Sequence, residues 1–274
     1  MNRKTPDTRL SEIGDNPQTE NRQRIESALR RSSAERPYFV QQNELRHYEI
    51  QGLSLDIEVT PSVFPPPENN PISSKHFTVN KGESVIDIGT GSGILAILAA
   101  KLGGIVSATD IDENAVELAR RNAVRNNTEI NCLQGEYFGG LPDKFDVIIA
   151  NLSQTSLPPD LRGASQIFRS VDGGNNGNEI LLQLLDEAKE HMHEASRLYV
   201  NIFTLSDYQS TLNKIKKEYE ARLIAKQTEP VKEFIEENIE WYRQLAEEGK
   251  IKLFFDRVKK RWLAEQYFYE LRLK

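Results

Sequence analysis

The sequence predicts an α/β fold, a parallel sheet with helices on both faces, and three observations carry that prediction. Residues 84–102, SVIDIGTGSGILAILAAKL, read as a strand, a glycine turn and a helix. Short β-branched apolar runs then alternate with helical patterns as far as residue 204, the arrangement of strand–helix–strand units. The first run, Val85, Ile86 and Ile88, points apolar side chains both ways, as a strand covered on both faces must.

A chain of 274 residues can hold one large or two small domains around a sizeable core. Its net charge of −6 and pI near 5.5 give no global electrostatic case for nucleic acid, so a protein or small-molecule partner is favoured. Cys132 is the only cysteine, which excludes an intramolecular disulfide and fits a reducing compartment. With no transmembrane-length apolar run and no signal-peptide core, the expectation is a soluble, cytoplasmic protein.

Residues 1–21 are polar without an apolar period and are expected to be a disordered tail. Residues 22–36 suit a short helix carrying Ile25 and Leu29, with Arg22, Arg24, Arg30 and Arg31 read as a solvated face rather than a nucleic-acid arm. Tyr48, Ile50, Leu53, Leu55 and Ile57 alternate around Gln51 and Gly52, which predicts a hairpin or two short strands. His47 has no second histidine or cysteine at ligand spacing and is read as structural. The prolines of VTPSVFPPPENN, residues 59–70, forbid helix and impose an extended course. Residues 71–81 are the place for a helix ahead of the main strand. The organisation is a tail over 1–21, a helix, hairpin and proline-rich segment over 22–80, and the main domain over 81–274.

Past the first strand, Ile94, Leu95, Ile97, Leu98 and Leu102 recur at helical spacing, with Ser92 placed to cap the helix and Gly103 and Gly104 to end it. Gly89, Gly91 and Gly93 let the turn backbone approach a ligand, which the free amides at the helix start would face. The spacing is GxGxG rather than the GxGxxG of a dinucleotide fingerprint, and Asp87 precedes it. A carboxylate there repels a diphosphate but pairs with an ammonium. The ligand is therefore expected to be a nucleoside with a cationic amino-acid tail rather than NAD. A second strand over 104–108 ends at Thr109 and Asp110, and an acid at that place commonly holds ribose hydroxyls.

Residues 113–126 put Ala115, Val116, Leu118, Ala119, Ala123 and Val124 on one helical face. A third strand over 130–133 leads to Gln134, Gly135 and Glu136, and a fourth, FDVIIA over 145–150, ends at Asn151. A loop over 157–179 precedes a helix over 179–191, where His191 and His193 point apart and are not read as metal ligands. A strand over 196–204, a helix over 207–220 and strands over 221–226 and 264–274 bring the strand count to seven. Between the last two, residues 230–262 carry Phe234, Ile235, Ile239, Trp241, Tyr242 and Leu245 at largely helical spacing. This insertion is read as a cover for the substrate entrance in preference to a dimer surface. Arg257, Lys259, Lys260 and Arg261 are read as a solvated face, though they are the best local case for a phosphate-bearing partner.

Through DIGTGSGILAILAAKLGG and ATDIDENAVELARRNAVRNN the chain resembles the class I S-adenosylmethionine-dependent methyltransferases. Within that class it looks most like the ribosomal-protein lysine enzymes and the glutamine enzymes that act on release factors. The resemblance spans residues 59–203 and is most specific over 85–151. It implies a Rossmann-like sheet of seven strands with an antiparallel last strand, and S-adenosyl-L-methionine as the cofactor. It also implies a cofactor set of Asp87, Gly89, Thr90, Gly91, Gly93, Asp110, Ile111, Glu136 and Asn151. Val59, Pro61, Val63, Pro66 and Glu68 match a segment that lies over the cofactor and substrate mouth in those enzymes, with a plain proline-rich linker as the alternative. Phe64 is the residue expected against the cofactor pocket. Gly173, Gly174 and Gly177 repeat a GG-x-x-G of the release-factor enzymes, which would border the acceptor pocket.

Methyl transfer from a sulfonium is an in-line displacement, so the enzyme chiefly aligns the acceptor and excludes water. In the glutamine and adenine-amino enzymes Asn-Pro-Pro-Tyr holds the acceptor's amino group. Here the residues are Asn151, Leu152, Ser153 and Gln154. Asn151 is thus the candidate catalytic residue, and the missing prolines and aromatic ring argue against an adenine base or an ordinary glutamine amide. The implied activity is methylation of a nitrogen or oxygen of a protein side chain or small metabolite. RNA or DNA amino methylation and a non-catalytic nucleoside-binding module are the alternatives. Nucleic-acid and membrane partners are not expected, no metal is called for, and a dimer is left open.

Overall fold

The computed structural model describes residues 40, 42–67, 71–141, 144–162, 168 and 170–274. The tail and helix expected over 1–36, and Glu68, lie outside the described residues.

A separate hairpin comes first, β1 (Glu44–Ile50) and β2 (Leu53–Val59). Its two turn residues, Gln51 at φ 52° and Gly52 at φ 76°, are both left-handed, the twist that suits a two-residue hairpin loop. The free edge of β2 is closed by side chains rather than by another strand. Asn122 donates to the Glu58 carbonyl at 2.9 Å and accepts from its amide at 2.8 Å. Asn126, one helical turn on, repeats this with Asp56 at 2.8 and 3.0 Å. Asn122 also donates to the Ser92 carbonyl at 2.9 Å, so one buried amide joins the hairpin to the glycine turn.

The main sheet runs in the order β5-β4-β3-β6-β7-β10-β8, with β9 beside β10. β3 (Ser84–Ile88), β4 (Ile105–Asp110), β5 (Ile130–Gln134), β6 (Val147–Ala150) and β7 (Arg197–Phe203) are parallel. β10 (Arg261–Leu273) runs antiparallel between β7 and β8 (Tyr219–Pro230). The count is eight strands, not seven. The end of the insertion is not helical but folds as β9 (Phe254–Asp256) on the start of β10, where Phe255 faces Trp262 directly with ring centroids 5.2 Å apart. Such cross-strand aromatic pairs stabilise a hairpin.

Alternate side chains feed two cores, following the two-residue strand period. Val85, Val147, Ile149, Tyr199 and Phe268 pack under α1 (Ile94–Lys101), α2 (Glu113–Arg125) and the β1–β2 hairpin. Ile86, Ile148, Leu198 and Val200 pack under α3 (Glu179–Glu187) and α4 (Tyr208–Glu218). A third cluster joins the loop after β6 to the insertion, where Leu157, Leu161 and Phe168 meet Phe234, Ile235 and Tyr242 from α5 (Glu233–Glu237) and α6 (Ile239–Glu247). The Tyr242 hydroxyl donates to the Ser156 carbonyl at 2.9 Å.

Two smaller expectations are corrected. Only a 3-10 turn, Ser73–Lys75, forms within 71–81, and the Ser74 hydroxyl bonds the Pro71 carbonyl at 2.7 Å, a local bond that competes with helix. Ser92 does not cap α1. The cap is Gly93 at φ 82°, a left-handed residue whose added Cβ would lie 3.0 Å from that of Ala119. The helix amide that needs an acceptor finds one in the preceding strand instead, as follows.

Candidate active site

Asp87, at the end of β3, is 1% exposed. One of its oxygens, Oδ2, accepts from the Thr90 hydroxyl at 2.7 Å and from the Ala96 amide in the first turn of α1 at 3.2 Å. A carboxylate at a helix N-terminus satisfies an orphan donor and sits favourably in the helix field. Burial nevertheless pushes its pKa up to about 7, against those two donors and with help from the charge of Asp110. Asp110 ends β4 and ties down the glycine turn, accepting from the Gly91 amide at 2.9 Å and the Asp112 amide at 3.0 Å. Burial raises its pKa too, against those amides.

Asp87 pairs with Ala108 across β3 and β4, so Asp110, two residues on, lies on the same face of the sheet. Among the described residues neither acid has a cationic partner. Buried Asp87 and half-buried Asp110 thus lie on one face at the carboxyl ends of β3 and β4.

The remaining cofactor candidates gather at the same end of the sheet. Gly89, Thr90, Gly91 and Gly93 form the turn. Ile111, just past Asp110, leaves 65% of its surface exposed at the rim, and Glu136, past the end of β5, is exposed. Phe64 packs against the third cluster beside the insertion. The neighbour of the glycine turn is Val63, which packs with Ala115 and Leu118 of α2 and lies 4.0 Å from where a Cβ on Gly91 would be. The proline segment therefore runs from the glycine turn toward the third cluster. Pro66 is fixed by the hairpin, its carbonyl accepting from Arg46 and from the Tyr48 hydroxyl, both at 3.2 Å.

Ile88 pairs with Ala150, which sets Asn151 beside Gly89 at the mouth between β3 and β6. Leu152 reaches back over the glycine turn, its Cδ2 2.7 Å from a Cβ built on Gly89. Asn151 is exposed, and its Oδ1 accepts from Asn201 Nδ2 of β7 at 2.9 Å. Gln154 is buried and bridges to β7 as a strand would, donating to the Asn201 carbonyl at 2.7 Å and accepting from the Phe203 amide at 3.1 Å. Gly173 closes the other side, where a Cβ would lie 2.1 Å from the Gly177 carbonyl oxygen and 2.8 Å from the Gln154 Cα. Between this loop and α6 lies a cavity of about 320 Å³, with Ser156, Leu157, Arg162, Asn175 and Trp241 in its wall.

Asn201 was not singled out from the sequence, and Val63 and Gln154 were named only as members of their motifs. One signal was there for Asn201, a polar residue within the apolar run LYVNIF of a strand covered on both faces. The two histidines near α3 have local partners, His191 stacked on Phe138 with ring centroids 3.8 Å apart and His193 Nε2 3.0 Å from Asp146 Oδ1.

Comparison with known proteins bears on the family of the chain. The ribosomal protein L11 methyltransferase family model matches residues 72–162. A relative from Methanocaldococcus jannaschii, provisionally named a protein N5-glutamine methyltransferase, is 31% identical over 169 residues, which cover 61% of this chain and 85% of that protein. A ribosomal protein L11 methyltransferase from Dictyoglomus thermophilum is 51% identical over 75 residues, which cover 27% of this chain and 25% of its own length. The chain thus spans most of the archaeal relative and a quarter of the bacterial one. In fold it is similar to a solved T. thermophilus 16S rRNA N2 G1207 methyltransferase in complex with AdoMet and guanosine. That likeness has a TM-score of 0.51 at 15% identity and covers 85% of this chain and 51% of the other. The chain belongs to the S-adenosylmethionine-dependent methyltransferases, in the group that includes the protein glutamine and ribosomal protein L11 enzymes.

Proposed function

We propose that this enzyme methylates a side-chain nitrogen of a protein, with the cofactor in the crevice at the carboxyl ends of β3 and β4 and the acceptor at Asn151. The observation that carries this reading is the pair of carboxyls at the ends of β3 and β4, buried Asp87 and half-buried Asp110, which lie beside the glycine turn and have no cationic partner among the described residues. Such a crevice repels phosphates and favours a ligand with positive charge, and S-adenosylmethionine carries both an ammonium and a sulfonium. When bound, it supplies a methyl carbon already activated by the neighbouring positive sulfur.

The chain's own residues then have three tasks. Asp87 and Asp110 hold the cationic and hydroxyl-bearing parts of the ligand, and Ile111 offers an apolar surface to its base. Asn151 orients the acceptor beside the glycine turn, where alignment supplies most of the acceleration. Leu152 and Val63 cover the turn from two sides and keep water from the reacting centre. The acceptor nitrogen forms its new bond to carbon as the carbon–sulfur bond breaks, the electron pair stays on sulfur, and one proton leaves the nitrogen for water.

Titration calorimetry with S-adenosylmethionine and S-adenosylhomocysteine tests the crevice, and transfer of an isotope-labelled methyl group to proteins, peptides, RNA and small amines tests the acceptor. Label appearing in protein is the expected result. No binding of either nucleoside overturns the reading, and so does label appearing only in RNA.

A further inference from the structure

Past the carboxyl end of β7 the sheet continues as a two-stranded arm. Gln266 of β10 pairs with Phe203, the last residue of β7, so residues 261–265 run beyond the ends of the parallel strands, on the side that holds Asn151 and the glycine turn. β9 pairs with the first of them, Arg261 facing Asp256 and Leu263 facing Phe254. The loop at the tip, residues 257–260, is held by Asp256, whose Oδ1 accepts from the Val258 amide at 2.9 Å and the Lys259 amide at 3.0 Å. With Phe255 packed on Trp262 just below, the tip is a fixed turn on a short arm.

The charge of this arm runs against that of the chain. In a protein of net charge −6, Arg257, Lys259, Lys260 and Arg261 place their cations within one short stretch. Arg257, Lys259 and Lys260 are exposed, and among the described residues none of the four forms an ion pair. Other cations of the same sheet edge are neutralised, Lys226 and Lys252 by Glu265 at 2.7 and 2.6 Å, and Arg222 and Arg272 by Glu270 at 2.7 and 3.0 Å. Lys260 sits at φ 49°, where glycine would be unstrained, so the turn keeps a cation at a cost in backbone energy. Val258, 90% exposed, stands among the charges as an apolar contact.

We propose that the β9–β10 arm is a docking site for an acidic stretch of the protein that is methylated. This rests on a protein as the methyl acceptor. Asp87 and Asp110 disfavour negative charge at the reacting residue itself, so the acidic stretch has to lie away from it, and the fold sets how far. Asn151 follows Ala150, which pairs with Val200, and is thus level with Asn201 and, across β7, with Phe268. From Phe268 to Lys260 is about eight residues of chain, roughly 26 Å, and two strand spacings from β6 to β10 add about 10 Å sideways. The resulting gap of about 28 Å is spanned by about eight residues of extended polypeptide. RNA suits the arm less well, because α5 and α6 of the same insertion carry exposed Glu236, Glu240 and Glu247, which repel a long phosphate chain, whereas a short acidic segment meets only the tip.

The test uses the full protein and two dye-labelled probes of about ten units each, oligoglutamate and oligouridylate, in fluorescence anisotropy at about 20 mM salt. Oligoglutamate should bind more tightly than the RNA, and about tenfold more weakly when salt is raised to about 200 mM. The double variant Arg257→Glu, Lys259→Glu, changed only at exposed tip positions, should also bind it about tenfold more weakly. The backbone amide resonances that move on adding oligoglutamate should belong to residues 254–262. Tighter binding of RNA, no binding of oligoglutamate, equal binding by wild type and variant, or shifts confined to another surface overturns the inference. A protein that binds oligoglutamate at the arm but transfers labelled methyl to no protein would instead strike the protein-methylation reading and leave the acidic-peptide site standing.

Discussion

Ligand binding should release a proton from Asp87, and the size of the effect follows from its surroundings. Its carboxyl is buried and titrates near pH 7 in the free protein, so at pH 7 about half of the molecules carry it protonated and neutral. Only the ionised form attracts the cationic tail of S-adenosylmethionine, and the bound cation in turn lowers the pKa. Affinity should therefore rise as pH increases through 7 and flatten above it. Between pH 6 and pH 8 the ionised fraction grows from about a tenth to about nine tenths, which is about tenfold in Kd or roughly 1.4 kcal/mol. Near pH 7 about half a proton should be released per ligand bound. Calorimetry in two buffers of different ionisation enthalpy reads that number directly. The ligand's own α-amino group titrates near pH 8, so the comparison is with Asp87→Asn, which keeps the ligand's contribution and loses that of Asp87. The same raised pKa makes the ionised carboxylate a cost to the empty fold that grows from about pH 4 to pH 7. Asp87→Asn should thus bind more weakly yet unfold at a higher temperature at pH 8. Equal proton release by wild type and Asp87→Asn, with parallel pH profiles, would refute the reasoning.

Asp110→Ala should weaken binding of S-adenosylhomocysteine by roughly 1–3 kcal/mol in calorimetry, because it removes a half-buried acceptor and also frees the Gly91 amide that shapes the turn. Asn122→Ala should lower stability to urea by about 2–4 kcal/mol, since it strands the Glu58 amide and carbonyl on the hairpin edge and the Ser92 carbonyl at the turn. Glu265 is buried, but hydrogen bonds from Lys226 at 2.7 Å, Lys252 at 2.6 Å and the Tyr267 hydroxyl at 2.5 Å hold its pKa down to about 2. A carboxylate with a lowered folded pKa stabilises above its unfolded value, so this contribution is complete above about pH 4.5 and disappears toward pH 2. Glu265→Gln should cost about 2 kcal/mol at pH 7 and little at pH 2.5, as read by chemical denaturation at the two pH values.

The strand and helix alternation of the main domain was legible because its signals are local. A short β-branched apolar run such as VIIA reads as a strand covered on both faces, and ENAVELARRNAVR shows its buried stripe at helical spacing. What the sequence could not show were contacts between residues far apart in the chain. Ser92 has the composition of a cap, but Gly93 enters the helix left-handed and Asp87 supplies the acceptor from the strand. Phe64 and Val63 are adjacent, and only the packing of α2 decides that the smaller one lies over the glycine turn. The strand β9 escaped because Phe254 and Phe255 fit a helical stripe as well as a strand until Trp262 is placed opposite.

The turn after β6 shows why a departure from a familiar motif need not mean a looser site. Two prolines would stiffen that turn by fixing backbone angles. Here Gln154 reaches the same end by hydrogen-bonding the β7 backbone at Asn201 and Phe203, and the Thr155 carbonyl accepts from the Gly173 amide at 3.0 Å on the other side. A proline at 152 would keep the turn rigid but replace the side chain that covers Gly89, and tyrosine at 154 could not make the paired amide contacts to β7. The residues from 151 to 154 form one consistent alternative: Gln154 fixes the backbone and Leu152 covers the glycine turn. Transplanting the two prolines and the tyrosine alone should therefore loosen the turn, because the hydrogen bonds that replaced them would be lost together.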